Sequence, residues 1–96
     1  RLQDRVPISK HAASMVPSKL NLPAGSSIRV EDAIYAIVTK SANDISAALA
    51  EKIGGTESHF AVLMTRKAHE IGMTRTVFRN ASGLHNPQQV STARDM

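Results

Sequence analysis

Ser41 and Asn43 stand two residues apart in Thr-Lys-Ser-Ala-Asn-Asp, residues 39–44, where one apolar run ends and another begins. At such a junction side chains leave the helix face and can point together into a cleft, where a hydroxyl and a carboxamide are able to do chemistry. The same residue types also cap helices, and either Ser41 or Asn43 in that role would satisfy the first amides of the second run. A Ser-x-Asn triplet arises by chance in on the order of a quarter of chains this long, so the triplet alone favours capping.

Chemistry at this junction needs a nucleophile. In serine acyl-transfer enzymes a triplet of this type works with S-x-x-K and K-T-G. Neither is present: the residues three before Lys10, Lys19, Lys40, Lys52 and Lys67 are Pro7, Val16, Ile37, Leu49 and Met64, and Lys-Thr-Gly does not occur. Composition leaves Ser-His-Asp catalysis open, but no G-x-S-x-G elbow supports it. The absence of cysteine removes thiol catalysis, thiolate metal sites and disulfide frameworks. His11, His59, His69 and His85 lack ligand spacing, so neither a metal nor a cofactor is implied. The chain therefore carries no self-sufficient catalytic set.

Composition sets further bounds. Ninety-six residues suffice for one small domain, with 42% hydrophobic and 21% charged residues, which is ordinary globular usage. Twelve Lys and Arg against eight Asp and Glu give a net charge of +4, but the charges are scattered, with Arg66-Lys67 the one adjacent basic pair. One Tyr, two Phe and no Trp leave little for base stacking, and nucleic acid is not an expected partner. No run approaches the ~18 apolar residues of a membrane span, and Arg1–Arg5 is not followed by the apolar stretch of a signal peptide.

Three regions position the triplet. Residues 1–29 read as an irregular lead-in punctuated by Pro7, Pro17 and Pro23, with Ser9 capping a short helix from His11 to Met15 and Ser26–Val30 extended. Residues 30–72 read as a helical core. Val30, Ala33, Ile34, Ile37 and Val38 share one helix face, with Glu31 and Asp32 in the first turn, where the helix dipole favours them. Ile45, Ala48, Leu49 and Ile53 repeat the pattern until Gly54-Gly55 stops it. Thr56 then caps a third helix whose stripe is Phe60, Leu63, Met64 and Ile71; Met64 reads as core filling. Residues 73–96 read as loop, with Thr76–Phe78 extended, turns at Asn80–Gly83 and Asn86-Pro87, and a helix starting at Ser91 or Thr92 with Asp95 in capping-box position. The chain stops in the first turn of that helix, which predicts a piece of a longer protein.

Taken in order, "SANDISAALAE", "FAVLMTRKAHEIGM", Thr76-x-Phe78 with Gly83-Leu84 following, and "STARDM" resemble the serine-type D-alanyl-D-alanine carboxypeptidases, the low-molecular-mass penicillin-binding proteins. The opening "VPISKHAASM" and "LPAGSSIRVEDAI" extend the resemblance along essentially the whole chain, and four blocks in order are far more specific than the triplet. Ala42 replaces a Gly common between the Ser and Asn of the family. In "NASGL" the His often found before the Gly is missing, at a position that is not catalytic.

The resemblance implies a mainly α piece, the helical lobe of a β-lactamase or transpeptidase-like α+β domain without its β-sheet. It implies Ser41 and Asn43 as catalytic residues. Ser41 would relay a proton towards the leaving D-alanine nitrogen. Asn43 would bond substrate and help hold a Lys from outside the chain, and Lys40 would lie on the surface without a catalytic role. The implied partners are a peptidoglycan stem peptide ending in D-Ala-D-Ala, β-lactam antibiotics and the remainder of the catalytic domain. Periplasm or cell envelope of a bacterium is the implied location. A piece of this kind would be inactive alone, and its exposed lobe surface leaves self-association open. Competing expectations are a DD-endopeptidase, a class A-type β-lactamase and, from another class, a small basic helical module binding nucleic acid or protein.

Overall fold

A computed structural model describes all of residues 1–96. The elements in chain order are β1 (Arg5–Pro7), α1 (Lys10–Ala13), β2 (Ser27–Arg29), α2 (Val30–Lys40), α3 (Asn43–Gly54) and α4 (Glu57–Glu70). The molecule is mainly helical, and no helix is long and apolar enough to cross a membrane.

β1 and β2 form a two-stranded antiparallel sheet in the register Arg5↔Arg29, Val6↔Ile28 and Pro7↔Ser27. Of the stretch Ser26–Val30 expected to be extended, Ser27–Arg29 is a strand and Val30 already opens α2, while Arg5–Pro7 is a strand that the sequence reading does not assign. Three residues at a proline are too short for periodicity to reveal; the strand exists because Val6 and Ile8 have a core to enter. Ser9 caps α1, its Oγ accepting from the Ala12 amide at 3.0 Å.

Val6, Ile8, Ala12, Ala33, Ala36, Ala42, Ile45, Ala47 and Ala48 form one buried cluster between the strands, α1, α2 and α3. Alanine dominates the buried faces of α2 and α3 and lets these elements approach closely. The helical stripe of α2 is only partly used: Ala33 is buried, whereas Ile34 is exposed and Val38 is 76% exposed.

Gly55, at φ +88°, ends α3, and Thr56 Oγ1 accepts from the His59 amide at 3.1 Å to cap α4, both as the sequence predicts. The α3–α4 corner is tight: a Cβ on Gly54 would lie 2.9 Å from Cβ of Phe60. Beyond α4 the chain is held by isolated links. Val77 bridges Val90, and Thr65 Oγ1 accepts from the Phe78 amide at 2.9 Å.

The helix expected from Ser91 or Thr92 is absent. Thr92 Oγ1 does accept from the Asp95 amide at 3.1 Å, and the Met96 amide reaches the Thr92 carbonyl, so one turn forms. Asp95 does not return the bond of a capping box, because its carboxylate is taken by Arg75 and Thr76.

Candidate active site

The junction is built by the meeting of α2 and α3. Ser41 ends α2 in the left-handed conformation, φ 52° and ψ 45°, with its amide donating to the Ile37 carbonyl at 3.0 Å. Glycine and asparagine are the usual occupants of this conformation, and serine adopts it at a cost on the order of 1 kcal/mol. Ser41 is exposed, and its hydroxyl caps neither helix.

Ala42, fully buried, is the N-cap of α3, so the capping role open to Ser41 and Asn43 belongs to neither side chain. Ala42 offers no side-chain acceptor, and the helix start is held from outside. Asn43 is the first residue of α3. Its amide donates to the Ser18 carbonyl at 2.8 Å, and its Nδ2 donates to the Val16 carbonyl at 3.0 Å. One Nδ2 hydrogen is thereby used, leaving a second donor and the Oδ1 acceptor of a half-buried carboxamide.

Next to Asn43 lies a residue that the sequence reading passed over. Asp44 is fully buried. Its Oδ1 accepts from Leu20 N at 3.0 Å and from its own helix at Ile45 N, 2.9 Å; its Oδ2 accepts from Asn21 N at 3.0 Å. A carboxylate survives burial only when so satisfied. A signal was available: Asp44 sits three and four residues before Ala47 and Ala48, both fully buried, which places it on the core flank of α3.

Elsewhere, polar links join the remaining segments. Glu57 Oε1 lies 2.6 Å from His11 Nε2 while its Oε2 accepts from Ala81 N at 3.1 Å, joining α1, α4 and the 80–84 turn. Thr76 is fully buried, with Oγ1 2.7 Å from Asp95 Oδ2 and 2.8 Å from Ser91 Oγ. The Thr76 hydroxyl, with the Arg75 amide and Thr92, holds the Asp95 carboxyl below its ordinary value. No three His, Asp or Glu side chains come together as a metal site. The largest hollow, about 510 Å³, is an apolar groove on α4 lined by residues including Phe60, Leu63, Met64 and Ile71. Neither Ser41 nor Asn43 lines it, and with 8 apolar residues among its 9 it offers nothing to polarise a carbonyl.

The backbone is that of a helical piece of the transpeptidase-like fold of the penicillin-binding proteins. D-alanyl-D-alanine carboxypeptidase DacD from Francisella tularensis superposes with a TM-score of 0.91 at 40% identity, over 98% of this chain and 23% of that one. Penicillin binding protein 5 from Haemophilus influenzae gives 0.88 at 32% identity, over 99% and 28%. The sequence profile of Peptidase_S11, D-alanyl-D-alanine carboxypeptidase, matches residues 1–96. The chain belongs to this peptidase family. D-alanyl-D-alanine carboxypeptidase DacF of Bacillus subtilis is 40% identical over 96 residues, all of this chain and 25% of the relative. The chain thus spans about a quarter of the length of that relative.

Proposed function

We propose that residues 1–96 supply the Ser-x-Asn element of a serine-type D-Ala-D-Ala carboxypeptidase that trims peptidoglycan stem peptides in the bacterial periplasm or cell envelope, and that binds β-lactams at the same site. The reading is carried by Ser41: an exposed hydroxyl held in a backbone conformation where glycine would be cheaper, at the first position of the family's triplet.

The reaction is acyl transfer. A serine hydroxyl from outside residues 1–96 attacks the carbonyl carbon of the penultimate D-alanine, the peptide C–N bond breaks, and an ester forms on the serine. The departing nitrogen takes a proton and leaves as D-alanine; Ser41 relays that proton. Water then cleaves the ester and returns the serine. Asn43 uses its free Nδ2 hydrogen to orient the substrate amide and its Oδ1 to hold a lysine ammonium supplied from outside the chain. A β-lactam enters by the same attack, its strained amide opening to the ester.

In the full-length protein carrying these residues, Ser41→Ala is expected to slow acylation by a labelled penicillin about a hundredfold while circular dichroism stays unchanged. Acylation at the normal rate would remove Ser41 from the mechanism. The 96-residue chain alone forms no stable penicillin adduct in this reading; an adduct seen by mass spectrometry would place a nucleophile within it. Release of D-alanine from a pentapeptide, against cleavage of a cross-linked dimer, separates carboxypeptidase from endopeptidase action.

A further inference from the structure

Asn43 is fastened to a stretch of chain that has no regular structure of its own. Its Nδ2 donates to the Val16 carbonyl and its amide to the Ser18 carbonyl, and both acceptors lie in the irregular run between α1 and β2. No residue from Ser14 to Asn21 is fully buried, and Met15 and Leu20 pack against the core only in part. The carboxamide therefore points where residues 16–18 let it point, and what fixes them matters to its aim.

Asp44 is placed to do that fixing. Within one carboxylate it gathers the amides of Leu20 and Asn21, two and three residues beyond Ser18, and the amide of Ile45 in α3. Lys19 adds a second tether from Nζ to the Ala13 carbonyl at 3.0 Å. The loop is thus bound to the first turn of α3 in both directions. Asn43 donates outwards to carbonyls at 16 and 18, and Asp44 accepts inwards from amides at 20 and 21. Only a side chain with acceptors alone meets two loop amides and a helix amide without placing a donor against a donor.

We propose that Asp44 is a positioning residue for Asn43, setting the orientation of its carboxamide through the 16–21 loop; this rests on the role of Asn43 proposed above. Asp44→Asn keeps the shape and sets an NH₂ group against the loop amides. In the full-length protein it slows acylation by labelled penicillin about tenfold, as small misplacements of substrate-binding groups do. Its effect depends on Asn43: in an Asn43→Ala background the same change alters the rate less than about twofold, because there is no carboxamide left to aim. Should Asp44→Asn fail to fold, Asn21→Gly serves in its place. Asn21 is exposed at φ 66°, a conformation glycine takes freely, so the fold is kept while the clasped loop gains freedom. A two- to threefold loss, again confined to the Asn43-containing protein, is the result in favour. Equal losses in both backgrounds, or none, would make Asp44 a structural anchor only and overturn the proposal. Normal acylation by Asn43→Ala alone would instead remove the role of Asn43 itself, and this proposal with it.

Discussion

The two halves of the molecule, divided at Gly55, are held together by different physics. Ten of the twelve buried hydrophobic residues precede Gly55, and only Ala61 and Ala68 follow it. The first half closes its own core, with α2 and α3 brought together on small side chains and β1 and β2 laid against them. The second half turns the apolar groove of α4 outwards and leaves Val62, Ile71 and Val90 exposed. Its loops are pegged by hydrogen bonds at Glu57, Thr65, Thr76 and Asp95. Ser41 and Asn43 belong to the first half, so the groups proposed for chemistry stand on the part that holds most of the buried core.

Breaking the packed half should have the largest effect. Ile45→Ala removes a fully buried side chain and is expected to cost about 2–5 kcal/mol in a urea titration of the 96-residue chain. Val62→Ala, on the exposed side of α4, is expected to cost under about 0.5 kcal/mol. Similar costs at the two sites would erase the distinction between the halves.

The seam comes next. Gly54→Ala would drive a Cβ to 2.9 Å from Cβ and 3.0 Å from Cα of Phe60, contacts that no side-chain rotation relieves. A loss of about 1–3 kcal/mol is expected as α4 is pushed off α3. Unchanged stability would mean that α4 shifts freely, and that the corner imposes no fixed relation between the halves.

What the sequence made legible follows the same division. The helices from Val30 to Glu70 were readable because apolar spacing, Thr56 and Gly54-Gly55 are local signals. β1 was not, since its three residues become a strand only through pairing with Ser27–Arg29, far along the chain. At the candidate site, Ser41 and Asn43 are proposed on family blocks, while the geometry removes the capping role that their residue types alone favour. Asp44 was in plain view within the same six residues. Its partners at Leu20 and Asn21 are backbone amides, which leave no mark in a sequence. Local amphipathicity also overstated α2, where Ile34 and Val38 follow the stripe yet stay exposed.

The pegged half offers smaller and more local effects. Thr76→Val keeps the shape of a fully buried side chain but deletes the hydroxyl shared by Asp95 and Ser91. About 1–2 kcal/mol is expected, felt as faster amide exchange at Val77 and Val90, whose amides and carbonyls form the bridge beside it. Faster exchange spread evenly into α2 and α3 would show that the halves unfold as one unit.

The smallest expected effect is a pH dependence confined to the same clasp. The Thr76 hydroxyl is the chief cause holding the Asp95 carboxyl below its ordinary value of 3.8, with the Arg75 amide and Thr92 adding to it. A carboxyl lowered on folding contributes stability that is complete above its unfolded value and is lost as pH falls through the folded one. Exchange protection at Arg75 should therefore hold on acidification to about 4 and decay below that, while Ala48, buried within α3 of the packed half, stays protected over the same range. Thr76→Val removes the principal cause, so the folded value of Asp95 returns towards 3.8, the gap from its unfolded value closes, and the acid-dependent part of the protection shrinks. An undiminished acid-dependent loss in Thr76→Val would assign the lowered value to the Arg75 amide instead. Protection lost together at Arg75 and Ala48 would mean that acid acts on the whole fold, and that the C-terminal clasp has no separate stability.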